Sequence, residues 1–239
     1  MGKIKQGALG GGKTAPADWD GIVGALEKWL TALQSDQAAG GDLAVTTVAE
    51  YHRRDPWAVL SSTILSLRTK DEVTLVRSQA LLEKAPTPKK LLALTTEEIE
   101  KLIYPVGFYH TKARNLQKIA SVIMETHGGQ VPATMEELLA LPGVGRKTAN
   151  LTLTEAFDLD GICVDVHVHR ITNRLGALQS KNPEETEMLL REILPKKYWK
   201  RLNMLLVLYG QRVCRPVSPF CSRCVMARYC ERTGVERSR

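Results

Sequence analysis

The sequence predicts an all-α fold built from many short helices. Apolar residues recur at helical spacing along most of the chain, and nowhere do several alternating strands follow one another. Capping residues and pairs of proline or glycine divide the chain into helical segments. With 239 residues, of which 44% are hydrophobic and 25% charged, the chain can bury a sizeable core in one or two domains.

The first predicted helix follows an N-terminal extension, residues 1–17, whose first fifteen residues are rich in glycine and lysine and are expected to be disordered. Asp18 is placed to cap a helix that runs to about Leu33, and residues 34–46 are interpreted as a connection. Asp55-Pro56 predicts another helix, because proline fits the first helical turn. This helix leads to a polar cluster at residues 68–71, and a further helix follows.

Capping signals and glycine stops predict the helices in the middle of the chain. Thr95 and Glu98 have the spacing of a capping box, as do Thr134 and Glu137. Paired glycines end one helix at residues 128–129. The remaining predicted helices are residues 89–93, 112–127, 165–175, 183–193 and 198–213.

A ten-residue segment, LPGVGRKTAN at residues 141–150, joins two predicted helices by a glycine turn. Gly143 and Gly145 permit a tight reversal with positive φ and a bare backbone. Amide groups of the turn and of the next helix can then point at one phosphate, and Lys147 stands at the mouth of that helix. A plain αα-hairpin with a glycine stop is the alternative. The residues predicted to contact phosphate are Gly143, Val144, Gly145 and Arg146.

Four of the five cysteines lie within seventeen residues near the C-terminus. Four thiolates suit either tetrahedral zinc or a [4Fe-4S] cluster, because both accept four sulfur donors. A zinc ribbon usually offers two Cys-x2-Cys pairs, and only one is present; uncoordinated thiols are a third interpretation. Cys163 is interpreted as a small buried hydrophobe. The clustered cysteines are Cys214, Cys221, Cys224 and Cys230.

The formal charge of +7 is concentrated at the C-terminal end, where residues 196–239 carry eleven Lys and Arg against two Glu. Such a region suggests a polyanion partner, most commonly nucleic acid, although a solvated basic tail is the alternative. Arg215 and Arg223 lie between the cysteines and are expected to face phosphate. No run approaches the roughly 18 apolar residues of a membrane span, so we expect a cytoplasmic monomer without membrane contact.

These features resemble the endonuclease III family of helix-hairpin-helix DNA glycosylases. The glycine hairpin, the spacing Cys-x6-Cys-x2-Cys-x5-Cys and Asp165, eighteen residues after Lys147, carry the resemblance. It implies a glycosylase and AP lyase that removes oxidised pyrimidines from double-stranded DNA, associated with the nucleoid, with a [4Fe-4S] cluster on the four cysteines. It also implies two helical lobes with a DNA groove between them: a six-helix domain, residues 48–158, and a cluster domain, residues 18–47 and 159–239.

Lys147 and Asp165 are the expected catalytic pair. An amine can attack the sugar C1′, expel the base and form a Schiff base that allows β-elimination. Amines are mostly protonated at neutral pH, so partial burial, a helix N-terminus and neighbouring Arg146 are expected to help supply the free amine. Asp165 is expected to accept a proton and stabilise positive charge on the sugar, and it can also cap a helix. By resemblance His167 supports this pocket; a His-x-His metal site with His169 is the alternative.

Two loops are expected to fill the gap that remains when a nucleotide is extracted from the duplex. By resemblance, Arg68 stands where family members commonly place glutamine, and Phe108 acts as an apolar wedge. Because a guanidinium can bind the O6 and N7 acceptors of guanine, we hypothesise that Arg68 alters the preference for the opposite base. Core packing is the alternative for Phe108. Lys112 and Lys118 are expected to be solvated.

Two other functions compete with this interpretation. A mismatch glycosylase would remove thymine or uracil opposite guanine, which Arg68 favours, but those relatives usually lack the equivalent of Lys147. A non-catalytic protein that binds damaged DNA would use the hairpin and the cysteine loop for grip alone.

Overall fold

The computed structural model describes residues 17–35 and 43–239, and every regular element in these ranges is helical. The all-α prediction is confirmed. The α-helices of the described ranges are α1 Trp19–Ser35, α2 Ala44–Tyr51, α3 Pro56–Ser66, α4 Asp71–Lys84, α5 Pro88–Leu92, α6 Thr96–Ile103, α7 Tyr109–Thr126, α8 Met135–Ala140, α9 Arg146–Ala156, α10 Val166–Leu175, α11 Pro183–Ile193 and α12 Trp199–Arg212. Short 3₁₀ turns occupy Lys196–Tyr198, Cys221–Arg223 and Ala227–Tyr229. The extension predicted at residues 1–17 lies outside the described residues up to residue 16.

Several helices begin at the capping residues that the sequence indicates. Asp18 and Asp55 each accept the backbone N–H of the third residue along, at 2.9 and 2.8 Å. Thr95 and Glu98 form a complete capping box at the start of α6. At Thr134 the hydroxyl accepts a backbone N–H at 3.3 Å but donates to the Glu137 carboxylate, so the box is incomplete. These bonds satisfy amide groups that have no partner within the helix, at about 1 kcal/mol each.

Two helices depart from the prediction by more than one or two residues. α2 begins at Ala44, inside the stretch interpreted as a connection, and its N-cap residue Leu43 makes no side-chain hydrogen bond. The start of α2 therefore carries no polar capping signal. α7 begins at Tyr109 rather than Lys112, because Phe108 takes a left-handed φ of 58° and turns the chain directly into the helix.

Buried apolar side chains form two large clusters. The first draws on α2 to α9 and includes Val48, Leu60 and Leu116; the second draws on α1, α10, α12 and the cysteine segment and includes Ile22 and Tyr209. The domain boundary expected at residue 48 falls inside α2, which packs against α3 and α4. Eight α-helices, rather than six, lie between Ala44 and Ala156, two of them only five and six residues long. The two-lobe division stays a prediction.

None of the helices in residues 17–35 and 43–239 has the length and apolar character needed to cross a membrane. α9 packs against α3, and α10 packs against α12. The N-termini of α9 and α10 carry the residues predicted to be catalytic.

Candidate active site and DNA interface

Lys147 and Asp165 lie at the N-termini of two neighbouring helices. Lys147 is the second residue of α9, and Asp165 is the N-cap of α10. The lysine Nζ lies 3.8 Å from the aspartate Oδ2, and the side chains are 38% and 9% exposed. The other oxygen, Oδ1, accepts the backbone N–H groups of His167 at 2.8 Å and Val168 at 3.0 Å. The carboxylate therefore caps α10 with one oxygen and faces the lysine with the other.

A cavity of about 170 Å³ opens beside this pair and is lined mainly by polar side chains. The Asp71 Oδ2 accepts a hydrogen bond from the Gln211 side chain at 3.3 Å across it. Carboxylate, carboxamide and hydroxyl groups thus face one space together with the lysine amine. The polar residues lining it are Thr46, Ser66, Thr69, Asp71, Lys147, Asp165, His167, Asn203 and Gln211.

His167 borders the cavity as a neutral imidazole. Burial lowers its pKa, although the Asp165 carboxylate acts in the opposite direction. Its Nδ1 lies 3.0 Å from the Arg170 Nη2, and because a guanidinium only donates, Nδ1 is the acceptor. His169 instead contacts the Thr186 hydroxyl at 2.7 Å through its own Nδ1. The two histidines therefore have separate partners.

The glycine hairpin opens the N-terminus of α9 toward solvent. Gly143 has a φ of 73°, and a Cβ there would lie 2.8 Å from the Asn115 Nδ2. Gly145 has a φ of −100°, so the expectation of positive φ holds for the first glycine only. As the N-cap of α9, Gly145 offers no side-chain oxygen to the first amide groups of the helix. These amide groups remain available to an anion.

Arg146 is tied into an ion pair. Its Nε and Nη2 donate to the Glu187 carboxylate at 3.0 and 2.7 Å, and Arg191 donates to the same carboxylate at 3.0 Å. Hydrogen bonding to Glu187 raises the pKa of Arg146. Burial acts to raise the pKa of Glu187, but the arginine hydrogen bonds outweigh it and the net shift is downward. The Arg146 guanidinium, which was expected to act on Lys147, is therefore paired with Glu187. Only the backbone N–H of Arg146 is left to contact a phosphate.

Arg68 and Phe108 lie next to each other on facing loops. Both have left-handed backbones, with φ of 54° and 58°. The Arg68 Cζ lies 5.5 Å from the centroid of the Phe108 ring. Arg68 is exposed and Phe108 is 62% exposed, so the interpretation of Phe108 as a core residue is wrong. The two side chains expected to enter the DNA gap are therefore a contacting, solvent-facing pair.

The four clustered cysteines line one cavity, and hydrogen-bond donors face their sulfur atoms. The Tyr209 hydroxyl donates to the Cys224 Sγ at 3.2 Å. The Arg174 Nη1 donates to the Cys214 Sγ at 3.5 Å. Such donors act to lower the pKa of a thiol, although burial outweighs the hydrogen bonds at Cys224 and Cys230 and the net shift in pKa is upward there. Four sulfur atoms around one cavity are the donor set that a centre with four sulfur ligands takes. Within residues 17–35 and 43–239, no three His, Cys, Asp or Glu side chains stand at metal-binding separation.

Exposed arginines cover the outer face of the cysteine segment. The Arg215 and Arg223 guanidinium carbons lie 5.5 and 4.1 Å from the centroid of the Phe220 ring, and both residues are exposed. Stacking on one ring holds their charges together on this face. Cys163, by contrast, is buried, and burial raises the pKa of its thiol to about 12. Its prediction as a buried hydrophobe is confirmed.

Comparisons with known proteins decide the family. Residues 61–196 match the family model of the HhH-GPD superfamily of base excision DNA repair proteins. Endonuclease III of Thermotoga maritima is 45% identical over 181 residues, which cover 76% of this chain and 85% of that protein. The chain belongs to the endonuclease III family.

Further endonuclease III comparisons agree with this assignment. The Bacillus subtilis enzyme is 34% identical over 200 residues, which cover 83% of this chain and 91% of that protein. A solved structure of a trapped endonuclease III–DNA covalent intermediate superposes with a TM-score of 0.75 at 31% identity, covering 88% of this chain and 94% of that one. As a member of the endonuclease III family, the chain is a DNA glycosylase and AP lyase of base excision repair.

Lys112 is the residue of this endonuclease III fold that sequence reasoning assigned wrongly. The sequence predicts a solvated side chain, but Lys112 is only 6% exposed. Its Nζ donates to the Leu65 carbonyl at 2.9 Å, to the Leu67 carbonyl, and to the Thr69 hydroxyl at 3.2 Å. Burial lowers its pKa to about 8. Lys118 on the same helix is exposed, as expected.

A sequence signal for the burial of Lys112 did exist. Leu116 and Ile123 follow it at four and eleven residues, positions that share the buried face of α7. The periodic pattern therefore placed the lysine on the apolar stripe, and only its residue type argued for solvent. The burial of Glu187 is missed for a similar reason. It lies on the buried face of α11 with Leu190, but its residue type favours an exposed position.

Proposed function

We propose that this endonuclease III family member excises oxidised pyrimidines from double-stranded DNA through a Schiff base on Lys147, then cuts the abasic strand by β-elimination. The observation that carries the proposal is the 3.8 Å approach of the Lys147 Nζ to the Asp165 Oδ2 beside the polar cavity. The relationship to a trapped covalent endonuclease III–DNA intermediate supports it.

The chemistry needs one nucleophile and one carboxylate. The lysine amine adds to the sugar C1′ while the bond from C1′ to the base breaks, and the base leaves with the electron pair. Asp165 accepts a proton through Oδ2 and stabilises the positive charge that develops on the sugar. The departing base takes a proton from solvent, and Asp165 returns its proton to O4′ as the bond from C1′ to O4′ breaks, which leaves an iminium between C1′ and Lys147. A proton then leaves C2′, the C2′–C3′ double bond forms, and the 3′ phosphate departs with the electrons of the bond from C3′ to oxygen. Capping of α10 keeps the carboxylate oriented throughout.

The surrounding residues suit an extracted nucleotide. Asp71 and Gln211 offer an acceptor and an amide to the edge of a pyrimidine, while Arg68 and Phe108 fill the space that it leaves. Backbone amide groups of Gly143, Gly145 and Arg146 bind one phosphate, whereas the Val144 N–H already donates to the Leu141 carbonyl at 3.1 Å. Arg215 and Arg223, with His167 nearer the pocket, extend the contact along the DNA backbone.

The DNA groove would lie between the two lobes. Their separate hydrophobic cores support this division, with one lobe at about residues 44–158 and the other made of α1 and residues 159–239. Such a DNA-bound protein is expected to associate with the nucleoid.

The cysteines would hold a [4Fe-4S] cluster. Cys214, Cys221, Cys224 and Cys230 would supply the four ligands. The donors from Tyr209 and Arg174 that are directed at sulfur would stabilise the thiolates of the bound form. When bound, the cluster fixes the segment that presents Arg215 and Arg223. Visible absorption that is lost on acid treatment, with equal amounts of iron and acid-labile sulfide, is expected. A colourless protein with one zinc ion would overturn this assignment.

Borohydride trapping on abasic duplex DNA tests the catalytic proposal. Wild-type protein is expected to give a covalent product, and Lys147→Ala is expected to give none while still binding DNA. Lys181→Ala, at an exposed position, serves as the control. Absence of trapped product with wild-type protein would favour a non-catalytic DNA-binding function. Loss of binding in Lys147→Ala would contradict the role given to the lysine.

A further inference from the structure

We propose that Lys112 is a positioning residue that locks together the two loops whose side chains fill the DNA gap. The proposal rests on the proposed function, since it assigns Arg68 and Phe108 to that gap. It gives the buried ammonium a task in extracting the nucleotide, separate from the chemistry at Lys147.

The ammonium of Lys112 has three N–H donors and finds three oxygen acceptors on a single loop. The carbonyls of Leu65 and Leu67 belong to the C-terminal end of α3, where helix carbonyls have no intrahelical partner and the helix dipole is negative. The third acceptor is the Thr69 hydroxyl, at 3.2 Å. One side chain from α7 therefore binds the residues on both sides of Arg68.

Thr69 extends this connection to the second loop. Its Oγ1 also accepts the backbone N–H of Gly107 at 3.1 Å, one residue before Phe108. A Cβ at Gly107 would lie only 2.5 Å from the Arg68 carbonyl oxygen, so the two loops approach backbone to backbone. Lys112 is itself in the first turn of α7, and Phe108 is the N-cap residue of that helix. Both loops are thus anchored to one ammonium through few bonds.

The backbones that need this anchoring are those of Arg68 and Phe108. A left-handed backbone is disfavoured for residues other than glycine and persists only where the surroundings hold it. Both residues have this conformation, and neither side chain is buried in a core that would fix it. The contact between their side chains depends on both backbones keeping it. Without the three bonds of Lys112, the pair would lose its fixed orientation toward the duplex.

The test compares abasic-site cleavage in duplex and in single-stranded DNA. Lys112→Met keeps the apolar stem and removes the donors, and Lys118→Met on the same helix is the matched control. Duplex cleavage by Lys112→Met should fall about 10- to 100-fold, because misplacement of an assisting group costs that much. Single-stranded cleavage should stay close to wild type, since no nucleotide has to be extracted. The fluorescence of a 2-aminopurine base placed opposite the abasic site should increase less with Lys112→Met than with wild-type protein, because the duplex opens less.

Each outcome has a distinct meaning. An unchanged ratio of duplex to single-stranded cleavage rates would overturn the positioning role. A general loss of folded protein gives that result, because it lowers both rates equally. Thr69→Val, which removes only the shared hydroxyl, should lower the duplex rate in the same direction and serves if Lys112→Met does not fold; an unchanged ratio there would also overturn the role. Failure of wild-type protein to cleave either substrate would instead refute the proposed function.

Discussion

Asp165 directs its Oδ2 at the Lys147 Nζ, 3.8 Å away, while its Oδ1 accepts two backbone N–H groups at the start of α10. The pair is therefore positioned by the two helix N-termini. A substitution at Asp165 acts on helix capping and on charge, and these two effects can be separated.

Asp165→Asn should keep the cap and lose the charge. Asparagine is as good an N-cap as aspartate, so stability should change little, whereas Asp165→Ala should lose about 1 kcal/mol of unfolding free energy. Base excision should fall by about 10²- to 10⁴-fold in both variants, because the proton acceptor is gone. Single-turnover excision and thermal unfolding measure the two effects. Full excision by Asp165→Asn would reduce Asp165 to a capping residue.

Arg68→Gln should change the preference for the base opposite the lesion. A bidentate contact with guanine is worth about 1–3 kcal/mol, so the relative kcat/KM opposite guanine should fall about tenfold or more. Duplexes with one oxidised pyrimidine opposite each of the four bases measure this. Arg201→Gln, whose guanidinium pairs with Glu27, is the control. An unchanged preference across all four bases would refute the hypothesis.

The same duplex panel distinguishes the mismatch-glycosylase alternative. Excision of undamaged thymine or uracil opposite guanine by the wild-type protein, lost in Arg68→Gln, would support that function. Activity confined to oxidised pyrimidines would exclude it.

Glu187→Gln should destabilise the protein strongly. The Glu187 side chain is 3% exposed and neutralises Arg146 and Arg191, which would be left as partly buried, unpaired cations. Removing one partner of such a network should cost about 2–4 kcal/mol of unfolding free energy. Glu184→Gln, at an exposed position on the same helix, should stay within about 0.5 kcal/mol. Urea unfolding compares them, and equal midpoints for the two variants would contradict the prediction.

His167 should make stability decrease in mild acid. Burial lowers its pKa, so below its usual pKa of about 6.5 the unfolded chain takes up a proton that the folded chain does not. Because the unfolded state then binds more protons, the free energy of unfolding decreases as the pH is lowered through this window, by at most about 1.4 kcal/mol per pH unit. His167→Gln should lose less stability than wild type between about pH 7.5 and 5.5. If the urea midpoints of the two proteins decrease equally over this pH range, the prediction is wrong.

Local signals predicted much of the fold. The sequence predicts the starts of three helices correctly from their capping residues, Asp18, Asp55 and Thr95. A capping bond joins residues that are three positions apart, so sequence spacing alone can indicate it. The sequence does not predict α2, because its N-cap residue Leu43 makes no side-chain capping bond. The prediction therefore failed where the helix is stabilised by packing on α3 and α4 and by a bond from its first N–H to the distant Asp71 carboxylate.

The candidate site was predicted where a motif covers it and missed where distant residues meet. Lys147 and Asp165 came from the family spacing, and the structure brings them together. The pairing of Arg146 with Glu187 joins residues 41 positions apart, and no local pattern indicates it. Burial of Lys112 depends on three acceptors from another segment, so a prediction from charge alone could only place it in solvent.

The cap at Asp165 gives the carboxylate proposed to be catalytic a spectroscopic signature. The amide protons of His167 and Val168 are the donors to its Oδ1, so their exchange with solvent requires the carboxylate to let go. Hydrogen exchange at these two amides therefore reports how often the aspartate leaves its working orientation, in the absence of any DNA.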